Sequence, residues 1–409
     1  MRVFVRTYGC TYNQADSEAL QRALQVAGIS PSSEKEADVV IVNTCGVKDN
    51  TEKKVLYYVE HCPKPVVVTG CIPQADSRII ERIRPDAVLL GVRAQDKVVD
   101  AVEAAFQKRR ASFQKGRVVG GASVDGIVAR IRICDGCLGS CTYCFTRLAR
   151  TGLKSVPVPI LLTQVHGAVA NGAREIRFTA QDAGCYGKDF GGSLAALLHA
   201  VSELEGRFLV RVGMTNPQHC DADLWRAFSA KTFAFAHLPV QSGSDSVLEH
   251  MGRPYSVNDF KQAVNEYRSI VGGSLATDLI VGYPTETEGD FEASLKLVEE
   301  IGFDVVNVSK YGRRPGTIAA RLKPLPSRTV KERSTALAEV VRQKSLELNE
   351  RLVGAVFDAV IVERGRKGVV ARTTAYKPVV LPAGEIGEFV RVRVTGAEPT
   401  HLFGETAPE

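Results

Sequence analysis

The chain has 409 residues, 44% hydrophobic and 24% charged, enough apolar material for the cores of two or three domains. No apolar run approaches the ~20 residues that span a bilayer, and Met1 to Arg6 reads as a strand rather than a signal peptide, so a soluble, cytoplasmic protein with no membrane partner is expected. The net charge of +6 permits a nucleic-acid partner without demanding one, and ten cysteines in such a compartment point to metal or redox chemistry rather than disulfides.

Apolar strands and helical patterns alternate from the start. A strand over 2–6 is followed by an amphipathic helix over 14–27, a strand over 38–43, a helix at about 50–61, a strand over 65–69 and a helix over 74–83. Apolar strands alternating with helices predict a parallel, Rossmann-like sheet covered on both faces, with ligands at the carboxyl ends of the strands. The polar stretch from Gln107 to Gly121, with Lys108, Arg109, Arg110 and Lys115, reads as a linker. A second series then places strands at 127–133, 174–179, 208–213, 235–240, 275–281 and 304–309. Six βα units predict a partial (β/α)6 TIM barrel with its site at the carboxyl ends of the strands. A charged helix over about 329–350 follows. Short strands at 357–363, 368–373, 376–380 and 387–394, separated by Gly and Pro, predict a small antiparallel β-barrel of a kind that often binds nucleic acid.

Directly after the first barrel strand, Cys137-Leu-Gly-Ser-Cys141-Thr-Tyr143-Cys144 spaces three thiols as C-x3-C-x2-C. Three thiolates on one loop can hold three irons of a [4Fe-4S] cluster and leave the fourth open. An open iron is what reductive cleavage of S-adenosylmethionine (SAM) needs: SAM chelates it and an electron enters the sulfonium, while the protein supplies ligation and orientation. The competing reading adds Cys134 as the fourth ligand of a tetrahedral zinc; zinc sites more often pair distant C-x2-C hooks, and Cys134 reads as a small residue at a strand end. Cys10, Cys45 and Cys71 each follow one of the first three strands, beside Gly9, Gly46 and Gly70. Such positions converge in a parallel sheet, and the glycines admit a bulky ligand. A second three-cysteine cluster is therefore expected, against the plainer reading of three buried thiols. Cys62, Cys185 and Cys220 read as ordinary thiols.

On these residues the chain resembles the methylthiotransferase family of radical SAM enzymes over nearly its whole length. The family's N-terminal cluster cysteines match Cys10, Cys45 and Cys71, and its C-x3-C-x-aromatic-C motif matches Cys137, Cys141, Tyr143 and Cys144. His237 to Asp245, Thr277 to Pro284 and Tyr311 to Thr317 also match, and the terminal barrel is similar to the TRAM domain that the family uses for RNA. Thr146 to Gly152, Phe178 to Asp182 and Arg211 to Pro217 are similar to the archaeal and eukaryotic branch. That branch converts N6-threonylcarbamoyladenosine at tRNA position 37, beside the anticodon, to its 2-methylthio form; siblings act on isopentenyladenosine or on a ribosomal-protein aspartate. Cys134 and the Gln181-Asp182 pair depart from the family pattern.

The resemblance implies three domains: 1–115 with an auxiliary cluster, 125–345 as the radical SAM barrel, and 346–409 for RNA. It implies two [4Fe-4S] clusters, SAM, a tRNA substrate, a flavodoxin- or ferredoxin-like electron donor, and a monomer. The auxiliary cluster would donate a sulfur that one SAM methylates, and a second SAM would give the radical that takes hydrogen from adenine carbon 2. Tyr143 would sit beside the SAM adenine, Gln181 and Asp182 would take its ammonium, Arg211 its carboxylate, Gln241 its ribose, and Gly282 would let it approach the backbone. Arg364, Arg366, Lys367, Arg372, Lys377, Arg391 and Arg393 are candidates for tRNA phosphate contacts. The competing class is a non-catalytic, zinc- and RNA-binding protein; a dinucleotide oxidoreductase is disfavoured because no G-x-G-x-x-G follows the first strand.

Overall fold

The computed structural model describes residues 1–46, 49–119, 123–366 and 368–408. The chain begins with six parallel strands, Arg2–Thr7, Ser30–Pro31, Val39–Thr44, Val66–Gly70, Val88–Leu90 and Ser112–Phe113, the second lying outside the first and the rest following in order. Val39–Thr44 is buried at every residue because helices cover both faces. On one face Leu20, Leu24, Val98 and Val102 meet Val39, Ile41 and Val67; on the other Val55, Val59 and Ile80 meet Val40, Val42 and Val68.

Three of these strands are only two or three residues long and carry no readable period. One of them, Ser112–Phe113, corrects the linker expectation: it pairs with Leu89 and Leu90, and Phe113 packs on the core. The helix expected over 74–83 is two helices, Cys71–Ala75 and Arg78–Ile83, because the backbone is extended at Asp76.

All six strands of the second series form, as Val128–Arg132, Glu175–Thr179, Leu209–Arg211, Phe235–His237, Ser274–Val281 and Val305–Lys310. They form two parallel sheets joined by a bridge between Val210 and Thr232. Alternation along each strand sends Ala129, Ile131, Ile176, Phe178, Val210 and Ala236 outward into the largest core. It sends Arg130, Arg132, Glu175, Arg177, Arg211, His237 and Asn307 into the lumen, where the register sets Arg130, Arg177 and Arg211 side by side. The barrel stays open, since Ser123–Asp125 pairs antiparallel with the free edge of the first strand.

Asp16 of the helix Thr11–Val26 ties the two units together: fully buried, it pairs with Arg132 and Arg150 of the barrel. Arg150 also meets Asp135 at 2.7 Å. The helix Ser327–Glu350 then leads to a closed five-stranded barrel, Val356–Gly365, Gly368–Thr373, Pro378–Leu381, Phe389–Glu398 and His401–Thr406. The last strand was not read from the sequence, and it runs parallel to Pro378–Leu381, so the barrel is not wholly antiparallel. Tyr376, expected in a strand, lies in a turn at φ 65°. Its ring packs on Phe233 and Phe235, and its hydroxyl donates to Glu175 Oε1 at 2.8 Å, fixing the terminal barrel beneath the lumen. Among the described residues no helix is long and apolar enough to cross a membrane.

Candidate active site

The cysteine loop starts from a pinned base. Cys134–Asp135 pairs antiparallel with Lys154–Ser155, and Gly136, at φ 88°, leaves no room for a side chain because a Cβ would lie 1.8 Å from Gly152 O. The Gly136 N–H donates to Gln181 Oε1 at 2.7 Å. Beyond this base, a Cβ on Gly139 would lie 3.3 Å from Cys137 Sγ and 3.7 Å from Cys141 Sγ, so the two sulfurs flank the loop's tightest point.

Hydrogen-bond donors converge on these sulfurs. The Gly139 N–H lies 3.2 Å from Cys137 Sγ. Arg253 Nη1 lies 3.1 Å from Cys141 Sγ, while Nη2 is held by Asn216 Oδ1. Side-chain hydrogen bonding with its neighbour Cys185 holds the Cys137 thiol below its ordinary pKa against the effect of burial, and the Gly139 N–H and Arg253 act the same way. Burial and the neighbouring Cys141 push Cys144 up, opposed by the N–H groups of Arg147 and Thr146. Donors aimed at three sulfurs on one loop suit ligated thiolates, so the residues fit the three-thiolate corner of a [4Fe-4S] cluster. Cys134 does not join them. It is 1% exposed and its thiol donates to Asp182 O, so it reads as a packed thiol.

Asp182 corrects its expected role. Fully buried, it accepts from the N–H of Gly184 (3.1 Å) and Asn216 (3.1 Å), from Asn216 Nδ2 (2.6 Å) and from the Cys185 thiol (3.2 Å). No acceptor capacity is left for a SAM ammonium. With Cys137 and Cys185 it forms a tight acid–thiol group, which braces the cysteine loop from beneath.

Gly282 is corrected too: a Cβ there would sit 2.6 Å from a Val330 methyl of the long charged helix, so packing rather than SAM demands the glycine. Arg211 does not point at the cysteine loop. Its guanidinium lies 5.2 Å from the Phe235 ring and 5.4 Å from that of Tyr376, inside a cavity walled by strand starts and the terminal barrel. The expected pairing with the SAM carboxylate is corrected accordingly.

Tyr143 packs with Met251 and Tyr283. Gln241 holds a positive φ of 73°, and its buried Oε1 has no hydrogen-bond partner among the described residues. Such strain at a strand end marks a place where a ligand is to be looked for. Of the basic candidates, Arg364, Arg366, Arg391 and Arg393 are exposed. Arg372 stacks on Tyr376 in the cavity wall, and Lys377 is withdrawn into pairs with Asp304 (2.6 Å) and Asn349 (2.5 Å), which corrects its assignment to RNA. Lys367 lies outside the described residues.

The other three cysteines converge at the carboxyl edge of the first sheet. Cys10 caps the helix Thr11–Val26, Cys45 follows the central strand, and Cys71 opens Cys71–Ala75. Burial pushes the Cys71 thiol up to about 12, the nearby Cys45 and Cys10 add to this, and Arg150 opposes it. Gly9 comes so close to Cys45 that a Cβ would stand 2.7 Å from its Sγ. Phe145, next to Cys144, shares a core with Cys71, and a Cβ on Gly46 would lie 2.3 Å from its ring. The two cysteine sets therefore meet at one aromatic side chain. Sequence reasoning gave no role to Arg253, Asn216, Cys185 or Arg150; Asn216 and Arg150 stand within the quoted Arg211 to Pro217 and Thr146 to Gly152 segments and Cys185 was read as an ordinary thiol, but their contacts span the fold and leave no local signal.

Three family models match: uncharacterized protein family UPF0004 over residues 2–91, the radical SAM superfamily over 131–298 and the TRAM domain over 350–407. Proteins named probable threonylcarbamoyladenosine tRNA methylthiotransferase from Methanothermobacter thermautotrophicus and Pyrococcus horikoshii are each 40% identical, covering 99% of both chains. The Drosophila melanogaster protein named threonylcarbamoyladenosine tRNA methylthiotransferase is 34% identical over 99% of this chain and 77% of its own. Two solved structures share the fold. The radical SAM methyltransferase TsrM from Kitasatospora setae has a TM-score of 0.57 at 14% identity, covering 78% of this chain and 73% of that one. The cobalamin-dependent radical SAM enzyme OxsB has a TM-score of 0.56 at 11% identity, covering 84% and 55%. The radical SAM match implies SAM and a [4Fe-4S] cluster.

Proposed function

The chain belongs to the threonylcarbamoyladenosine tRNA methylthiotransferase family, and from that premise we propose that it replaces the hydrogen on carbon 2 of N6-threonylcarbamoyladenosine in tRNA, at position 37 beside the anticodon, with a methylthio group. The observation that carries this reading is the meeting of two cysteine sets at Phe145. Radical generation needs one such set; sulfur transfer to the same carbon needs a second within reach.

Cys137, Cys141 and Cys144 hold the cluster that binds SAM, and Cys10, Cys45 and Cys71 hold a second [4Fe-4S] cluster. Bound there, these groups and SAM supply the radical that removes hydrogen from carbon 2 and the sulfur that takes its place. Arg253 and the Gly139 N–H orient the loop sulfurs and balance their charge. Gln181 fixes the loop base, Gln241 offers its unpaired Oε1 to a ribose hydroxyl, and Tyr143 lies beside the SAM adenine. Phe145 excludes water from the space between the two sets. No protein general base is required.

Residues 1–115 carry the sulfur-donating site, 125–345 the radical site and 346–409 the RNA contacts. Arg364, Arg366, Arg391 and Arg393 meet the phosphates. The enzyme works as a cytoplasmic monomer with a flavodoxin- or ferredoxin-like reductant. Anaerobic reconstitution with iron and sulfide counting tests the reading. About eight irons should fall to about four in a Cys10/Cys45/Cys71→Ala variant, and mass spectrometry should find methylthio product only with the wild type. About four irons in both proteins would leave a radical SAM enzyme without a sulfur donor.

A further inference from the structure

Between the lumen floor and the terminal barrel lies a cavity of about 390 Å³, within the range of small-ligand pockets. Arg211, His237, Asn307, Arg372 and Tyr376 are among its walls. Arg130 and Arg177, beside Arg211 in register, each have a carboxylate: Arg130 pairs with Glu18 at 2.5 Å and Arg177 with Glu175 at 2.6 Å. Arg211 has neither a carboxylate nor a hydrogen bond among the described residues; it has only the rings of Phe235 and Tyr376. Arg372 brings a second guanidinium over the same tyrosine ring at 4.9 Å, and its buried Nε has no hydrogen-bond partner among the described residues. The carboxylate of Glu175 acts on Arg211 but is already held by Arg177 and the Tyr376 hydroxyl, while Arg177 and Arg372 add like charge; a shielded excess of cations is costly, and a planar guanidinium fork is shaped for a carboxylate.

We propose that Arg211 binds the threonyl carboxylate of the modified adenosine and so selects the substrate. This rests on the function proposed above and adds the group that reads its distinguishing charge. Arg211 lies in register with Arg177 and so with Arg130, four residues before Cys134, which sets it about 13 Å down the lumen from the start of the cysteine loop at ~3.3 Å per residue. The C2–H and C6–N6 bonds of adenine diverge obliquely, so an adenine that presents carbon 2 to the cysteine loop can carry its N6 substituent into the lumen, on the side where Arg211 lies. An isopentenyl substituent has no charge to satisfy this arginine, so the site discriminates by leaving it unpaired.

The test compares the reconstituted holoenzyme with its Arg211→Gln and Arg211→Lys variants. Two anticodon stem-loops are used, one carrying threonylcarbamoyladenosine and one its neutral methyl ester; binding is read by anisotropy and turnover as KM and kcat. Wild type should prefer the free acid by about 10- to 100-fold, the equivalent of one charge-assisted hydrogen bond. Arg211→Gln should erase the preference chiefly through KM, and Arg211→Lys should retain part of it. Equal loss on both stem-loops would overturn the assignment and leave a structural role, and loss of SAM affinity in the glutamine variant would return Arg211 to SAM. If wild type turns over neither stem-loop while cleaving SAM, the function proposed above falls, independently of Arg211.

Discussion

Asp16→Asn keeps the shape of a buried side chain and removes its charge. Asp16 is 3% exposed and pairs with two buried guanidiniums, so solvent cannot take over its role. The loss is unequal. Arg150 keeps Asp135 at 2.7 Å and the Tyr12 ring at 4.5 Å. Arg132 keeps only neutral partners, Gln95 Oε1 at 3.0 Å and Val119 O. One uncompensated buried cation therefore dominates, which sets the cost near ~3 kcal/mol, the lower end for breaking a buried pair. At about 2–4 °C per kcal/mol the calorimetric midpoint should fall by about 6–12 °C. Calorimetry suits the question because several domains need not unfold as one step. Iron content and midpoint should fall together, since Arg150 stands between Asp16 and the buried Cys71. A midpoint within about 1 °C of wild type would refute the reasoning, because ~3 kcal/mol corresponds to several degrees.

Arg253→Met keeps apolar bulk but removes the donor 3.1 Å from Cys141 Sγ; the reduction potential of the radical SAM cluster should become more negative in an EPR-monitored titration, and an unchanged potential would limit Arg253 to packing. Gly282→Ala places a Cβ at φ 77° against Val330, so thermal denaturation should show a loss of about 1–3 kcal/mol with SAM affinity intact; the reverse pattern would restore a SAM role to Gly282. Burial acts to raise the Asp135 pKa, but Arg150 and Arg93 outweigh it and hold it below its ordinary value. The stability it contributes is therefore present above the unfolded pKa of about 3.9 and lost as pH falls through the lower folded value. Asp135→Asn should accordingly flatten the acid limb of a stability-against-pH curve below about pH 4, and an unaltered limb would exclude that linkage.

The cysteines were readable because their signal is local. Spacing on one loop, and one position after each of three strands, both survive without knowledge of packing. Side-chain direction is not local. Arg211 stands at a strand end, as a SAM contact would, yet the pleat turns it toward Tyr376, a residue 165 positions later in the sequence (376 minus 211). Asp182 stands beside the cysteine loop but is saturated by Asn216 and Gly184, whose N–H groups no sequence pattern aims. Gly282 was legible as a glycine and not as a packing glycine, because its neighbour Val330 lies 48 positions later in the sequence (330 minus 282). The strands Ser30–Pro31 and Ser112–Phe113 were missed for another reason: two residues hold no period, and such strands form only because a longer neighbour offers its edge.

Tyr376 makes the terminal barrel part of the catalytic barrel's architecture as well as an appended RNA module. Its ring covers Phe233 and Phe235, and its hydroxyl joins Arg177 in donating to one oxygen of the carboxylate of Glu175, sealed in the interior. A chain shortened before residue 350 would expose that apolar floor and leave Glu175 with Arg177 alone, and would fail through the barrel itself before any loss of RNA affinity could be read. Exchange of the terminal domain between relatives thus depends on an aromatic hydroxyl at this one turn. The two units have become joint owners of a single wall.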